Sequence, residues 1–246
     1  MKSSTPAHRG GGLERRRGAA VGAVLTAVTL AVSGCGGAGD DRPSVLASFY
    51  PLQFVAERVG GDDVVVESLT PAGAEPHDLE LSPAQVRSIG AADVVVTLGG
   101  FQPAVDEAIA ARAPARVVDA SAAADLPGDD AHGDEGPAVG GEDPAASTDP
   151  HFWLDPTRLA TIARPVAEAL AAARPEEADA FAERADALTA ELGALDEVFT
   201  TGLESCESRL IVTSHGAFGY LADRYGLEQV GISGLDPEAE PSPARL

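Results

Sequence analysis

The chain has 246 residues, 39 acidic against 17 basic, for a formal charge of −22, and Lys2 is its only lysine. A surface this acidic repels phosphate backbones and draws cations, which excludes nucleic acid as a partner. With 44% hydrophobic residues, the length supports one large or two small domains with a real core, which excludes a disordered chain.

Residues 1–34 read as an export signal. Arg9, Arg15, Arg16 and Arg17 form a positive start, and the apolar run AAVGAVLTAVTLAVSG follows. That run is short and rich in small side chains, whereas a membrane helix needs roughly 20 apolar residues. It ends in VSGC, which resembles the lipobox of bacterial lipoproteins. Cys35 would then be lipidated and become the mature N-terminus; the competing reading is a plain signal peptide with a chance cysteine. Arg16-Arg17 also fits twin-arginine export, but Gly18 and Ala19 follow where hydrophobic residues are usual, which favours the general route. With Cys35 lipidated, Cys206 has no partner and reads as a free thiol.

From position 45 strand and helix patterns alternate. SVLASFY predicts a buried strand, and PLQFVAERVGG a helix with Pro51 at its start, Leu52, Val55 and Val59 on one face and a Gly-Gly stop. VVVESL is the second strand and TPAGAEPHDLEL a loop. SPAQVRSIGAA opens with Ser82 and Gln85 at capping-box spacing and Pro83 in the first turn. DVVVTL, FQPAVDEAIAARA and RVVD continue the series as strand, helix and strand. Such alternation with short connections predicts an α/β fold with a parallel sheet covered by helices.

Residues 120–148 break the rhythm. The stretch DLPGDDAHGDEGPAVGGEDPAASTD, with eight acidic residues and His132, is too polar and glycine-rich to pack and predicts a mobile loop, either a plain insertion or a weak collector of cations. DPHFWLDP follows. Asp155 and Pro156 then start a helix lined by Leu159, Ile162, Val166 and Leu170, with a kink expected at Pro165. A longer helix, from Pro175 to about Gly202, carries Phe181, Ala185, Leu188, Leu192, Leu195 and Phe199 as one apolar stripe. It would be roughly 40 Å long and suit a strut between lobes. RLIVTSHG, AFGYLADRYG and EQVGIS give a strand, a helix stopped by Gly226 and another strand; Ser242-Pro243 looks like a further helix start. The expected organisation is an N-terminal α/β lobe over 35–174, a linker helix over 175–206 and a partial C-terminal α/β lobe over 207–246. One strand–helix unit cannot bury its own sheet, so the sequence reads as cut short.

Of the five histidines, His8 falls in the signal and His132 in the acidic loop. His77 follows the second strand, His151 precedes a helix, and His215 sits at the carboxyl end of a strand. Open α/β sheets bind ligands outside the carboxyl ends of their strands. Three neutral imidazoles converging there suit Zn²⁺, and also Mn²⁺ or Fe²⁺. Asp78, Asp149 or Asp155 could accept a ring N–H and fix which nitrogen faces the metal. Phe152 and Trp153 would pack the turn and hold the His151 ring.

PAGAEPHDLELSPAQ, DPHFWLDP and TSHGAFGYLADRYGL followed by GISGLDPEAEPSPARL resemble the zinc- and manganese-binding solute-binding proteins of bacterial ABC importers, the ZnuA/TroA-like family. The resemblance runs from about Val45 to the last residue and is weakest in the acidic loop. It implies two Rossmann-like lobes joined by one long helix, with the metal between them on His77, His151 and His215. It also implies an extracytoplasmic receptor, monomeric and lipid-anchored to the outer face of the cell membrane, that delivers its ion to a membrane permease. The family's fourth ligand, an Asp or Glu further along the second lobe, lies past the last residue here; Glu75 is the possible substitute, although Pro76 could turn it away. The family's inserted loop is often histidine-rich in zinc members, and the acidic loop here favours zinc over manganese only weakly.

Two other classes compete. A zinc hydrolase also uses three histidines with an open position, but the chain has no HExxH, no nucleophile elbow and no evident general base. A surface adhesin on the same fold is the other, since fold does not fix function.

Overall fold

The computed structural model describes residues 41–124, 126, 149–238 and 240. The signal, Cys35, His8, His132, almost all of the acidic loop and Ser242-Pro243 lie outside the described residues. Among those described, no helix is long and apolar enough to cross a membrane.

Four strands form the larger sheet: β1 (Ser44–Ala47), β2 (Val65–Ser68), β3 (Val94–Thr97) and β4 (Val117–Asp119). All pairs are parallel, in the order β2-β1-β3-β4. Helices α1 (Tyr50–Gly60), α2 (Pro83–Ala91) and α3 (Pro103–Arg112) are the crossovers. Pleating sends alternate residues to opposite faces. Val45, Ala47, Val94 and Val96 join the core under α1, whereas Leu46 and Val95 join Ile89, Val105 and Ala108 under α2 and α3. Burial on both faces is why these strands read as continuous apolar runs. The capping box forms as expected: the Gln85 amide donates to Ser82 Oγ at 3.3 Å, and the Ser82 amide to Gln85 Oε1 at 3.0 Å.

Three details differ from expectation. The loop over 120–148 does not begin at 120, because Ala120–Ala123 form a short helix, α4. Asp119 caps it by accepting from the Ser121 amide at 2.9 Å, a local bond that the run of alanines then extends. The helix after DPHFWLDP is two helices, α5 (Pro156–Ala160) and α6 (Ala163–Ala173). Pro165 has no N–H for the Thr161 carbonyl, and the chain tightens instead, with Ile162 donating to Leu159 O at 3.2 Å. The long helix α7 covers Ala178–Leu203, 26 residues or about 39 Å. Its first half is no free strut: Phe181, Ala185, Leu188 and Leu192 are buried in the core with α1 and α6. Farther along the stripe Leu195 is exposed, whereas Phe199 is half-buried and stacks on Tyr225, centroids 5.3 Å apart.

Past α7 lies a second parallel sheet of β5 (Leu210–Thr213) and β6 (Glu228–Gly231), joined by α8 (Gly219–Tyr225). Gly226 ends α8 at φ 66°, a left-handed cap that costs glycine little.

Candidate metal centre

The loop between β2 and α2 carries His77, and it is pinned from below. Thr70 Oγ1 donates to the Ser48 carbonyl at 2.7 Å, and buried Gln102 donates through Nε2 to Thr70 Oγ1 at 3.1 Å and to Pro76 O at 2.9 Å. These groups lie past the ends of β1, β2 and β3, at the reversal of strand order where open sheets bind ligands. Glu75 Oε1 accepts from the His77 amide at 3.1 Å and also contacts its Nδ1. The ring stands edge-on to Phe101, centroids 4.9 Å apart.

His151 repeats the arrangement. Asp149 Oδ1 accepts from the His151 amide at 2.9 Å and lies 2.8 Å from Nδ1. The ring is 2% exposed and packs 5.2 Å from Trp153, which rests in turn on Phe49. Phe152 points into the core. In both places a carboxylate, a proline and a histidine follow one another, Glu75-Pro76-His77 and Asp149-Pro150-His151. The side-chain oxygen reaches two residues ahead as in an Asx turn, and proline stiffens the link. An ionised carboxylate only accepts, so each ring carries its proton on Nδ1 and turns the Nε2 lone pair outward. Both Nε2 atoms are buried without a hydrogen-bond partner.

His215 arrives from the end of β5. Its carbonyl accepts from Thr213 Oγ1 at 2.7 Å and Gln229 Nε2 at 3.1 Å, but among the described residues no carboxylate accepts from its ring. Burial, and then the neighbouring imidazoles of His151 and His77, hold its pKa below 6.5, partly offset by Glu75 and Asp149. The neutral form that ligates metal is thereby favoured. Glu75 is pushed up by burial, yet the His77 ring and amide outweigh that and leave it below the ordinary glutamate range.

The structure therefore brings all three predicted histidines together. Ring centroids are 5.3 Å apart for His77–His151, 5.4 Å for His151–His215 and 6.3 Å for His77–His215. At a Zn–N distance of about 2.05 Å, tetrahedral geometry puts ring centres about 5.2 Å apart. Two separations match; the third needs an approach of about 1 Å by that same geometry. Accordingly, among the described residues no three His, Cys, Asp or Glu side chains enclose an ion as they stand.

The supporting carboxylates are partly those expected. Asp149 orients His151, but Asp155 instead caps α5, accepting from the Thr157 amide at 2.8 Å, and Asp78 bonds no histidine. Glu75, named as a possible substitute fourth ligand, meets the His77 ring and amide through Oε1. Sequence reasoning missed that role although the repeated acid-proline-histidine triplet signals it, and it missed Gln102, whose two anchors are visible only in three dimensions.

Known proteins share this arrangement of chain. The zinc-binding lipoprotein AdcA of Streptococcus pneumoniae serotype 4 is 35% identical over 217 residues, 84% of this chain and 42% of AdcA. The high-affinity zinc uptake system protein ZnuA of Bacillus subtilis is 30% identical, over 91% of this chain and 73% of ZnuA. The chain thus spans 42% of the length of the AdcA relatives. The crystal structure of Zn(II)-bound AdcA from S. pneumoniae superposes with a TM-score of 0.66 at 33% identity, covering 83% of this chain and 42% of that one. The laminin-binding protein Lmb of Streptococcus agalactiae, described as a bifunctional protein with adhesin and metal transporting activity, superposes at 0.68 with 31% identity, over 82% of this chain and 72% of Lmb. Residues 45–246 match the family described as zinc-uptake complex component A, periplasmic, and the chain belongs to that family.

Proposed function

We propose that this chain is an extracytoplasmic receptor that captures a divalent transition metal, zinc first and manganese next, and presents it to an ABC permease. One observation carries the reading: two buried Nε2 atoms without partners, each on a ring whose Nδ1 meets a carboxylate, belong to histidines clustered with a third imidazole, 5.4 Å from His151 and 6.3 Å from His77 between ring centroids. The carboxylate behind each ring raises ligand basicity and fixes its direction, so capture needs little reordering. The imidazoles leave a coordination position for a fourth donor. His77 and His151 belong to a first lobe ending near residue 174, His215 to a second beginning near 207, and α7 links them. Cys35 is the lipid anchor that keeps the receptor, a monomer, at the outer face of the membrane.

The zinc-hydrolase alternative lacks support at this site, because Glu75 and Asp149, the carboxylates beside the histidines, are engaged by imidazole rather than free to activate water. The relatives named for zinc binding and uptake point the same way.

Native mass spectrometry of the chain, dialysed against equal zinc and manganese, tests the proposal. One retained ion, zinc over manganese, is expected, weakened in each of His77→Ala, His151→Ala and His215→Ala. An ion retained undiminished in all three variants would overturn the site.

A further inference from the structure

Of the three clustered histidines, the one without a carboxylate behind its ring, His215, is held by other means. His215 is followed after three residues by α8, and α8 docks onto both aspartates that flank His151. At its start, the Tyr220 hydroxyl donates to the Asp149 carbonyl at 3.0 Å. Gly219 lets this approach happen, since a Cβ there would stand 2.8 Å from Asp149 Oδ2. The Tyr220 ring is covered by the Arg158 guanidinium, 4.8 Å from its centroid. One turn later, on the same helix face, Arg224 Nε lies 3.4 Å from Oδ1 of Asp155, which is 5% exposed.

Arg224 is itself held. It meets Asp196 of α7 through two bonds, at 2.5 and 2.7 Å, and the Tyr225 hydroxyl donates to that carboxylate at 3.0 Å. Residues four apart on α8 thus meet two ends of the turn that carries His151: Tyr220 by a hydrogen bond at 149, and Arg224, whose Nε proton goes to Asp196, by charge at 155. His215 lies five residues before Tyr220 in the same segment. The sequence DPHFWLDP therefore serves twice: its histidine joins the three-histidine cluster, and its two aspartates receive the helix that follows the third histidine.

We propose that Tyr220 and Arg224 are positioning residues that set His215 against His151 and so govern how fast the ion leaves. This rests on the three-histidine reading and deepens it. The spacing that α8 fixes is the 5.4 Å pair, already at the tetrahedral value, whereas the His77–His215 pair, which α8 does not bridge, is the wide one at 6.3 Å.

The test uses the full chain with Zn²⁺ and Co²⁺ as probes. Tyr220→Phe keeps the ring over Arg158 and removes one donor; Arg224→Met keeps the stem and removes the charge. Zinc release into excess chelator should quicken roughly five- to tenfold in each, and the visible absorption of bound Co²⁺, which reports coordination geometry, should change in position or strength. Arg184→Met is the control for a merely structural effect, since it removes an anchor to Asp63 and Gly60 O far from the histidines; it should lower thermal stability and leave release and spectrum unchanged. Wild-type release and spectrum in both α8 variants would overturn the proposal while leaving the site intact. His215→Ala separates the two levels: undiminished zinc binding in that variant would overturn the three-histidine reading, and the clamp with it.

Discussion

The two sheets of this protein are built from similar sequence and end in different environments. β3, VVVT, is buried at every position, with helices on both faces. β5, LIVT, has nearly the same composition, yet Val212 is 65% exposed, and Leu210, Val230 and Ile232 also face outward. Strand identity is thus set by local preference, and burial by what packs on top. The proposed metal site draws on both regions, and its histidines inherit the difference. His77 and His151 are fixed by the larger core and by their own carboxylates, whereas His215 stands on the thinner sheet, its carbonyl held by Thr213 and Gln229, and its proposed clamp is α8.

The largest effect expected from this contrast is on stability. Phe152→Ala should cost about 3–5 kcal/mol, because a fully buried aromatic is deleted beneath the His151 turn; urea unfolding measures it, and a loss under about 1 kcal/mol would mean the larger core repacks freely. Next comes Asp149→Ala, which strips the Nδ1 partner from His151 and should weaken zinc binding about 10- to 100-fold. Calorimetric titration checks this, and unchanged affinity would show that the carboxylate does not tune the ring.

A smaller effect concerns protons. The folded chain holds His215 below 6.5, so it binds fewer protons there than the unfolded chain. The stability associated with neutral His215 is complete above that pH and is lost as pH falls through the depressed value. Urea midpoints of the metal-free chain between pH 8 and pH 5, on the order of the ordinary imidazole range, should fall further for the wild type than for His215→Gln. Parallel curves would remove the role assigned to burial.

Smallest of all, Val212→Thr should change stability by no more than about 0.5 kcal/mol, because the exposed side chain has little to lose. A cost like that of a buried valine would mean that the second sheet is covered in solution.

Much of the architecture was legible before any coordinates. Strands and helices follow from periodicity, Ser82 and Gln85 from a four-residue pattern, and Gly226 from its place after an apolar face, all of them rules that act within one or two turns of chain. The outer half of α7 was not legible. Leu195 continues the stripe of Leu188 and Leu192 in sequence, but exposure depends on whether another element covers it. Among the site residues, the histidines stood out as rare imidazoles at strand ends. Asp149 was named by the same reading, and Glu75, equally two residues from its ring, was within its reach, whereas Gln102, Tyr220 and Arg224 act on segments 26, 71 and 69 residues away.

What the sequence determined by itself was therefore local: which segments are strands, where helices start and stop, and that two histidines follow a carboxylate and a proline. Only the tertiary structure decided that three imidazoles come within 6.3 Å of one another, that two Nε2 atoms are left without partners, and that one helix contacts both aspartates around His151. The physical reason is range. Caps and turns are closed by bonds between near neighbours, which a short stretch of residues specifies alone. Convergence of distant side chains depends on how whole elements pack, and that is set by the summed burial of the core rather than by any one motif.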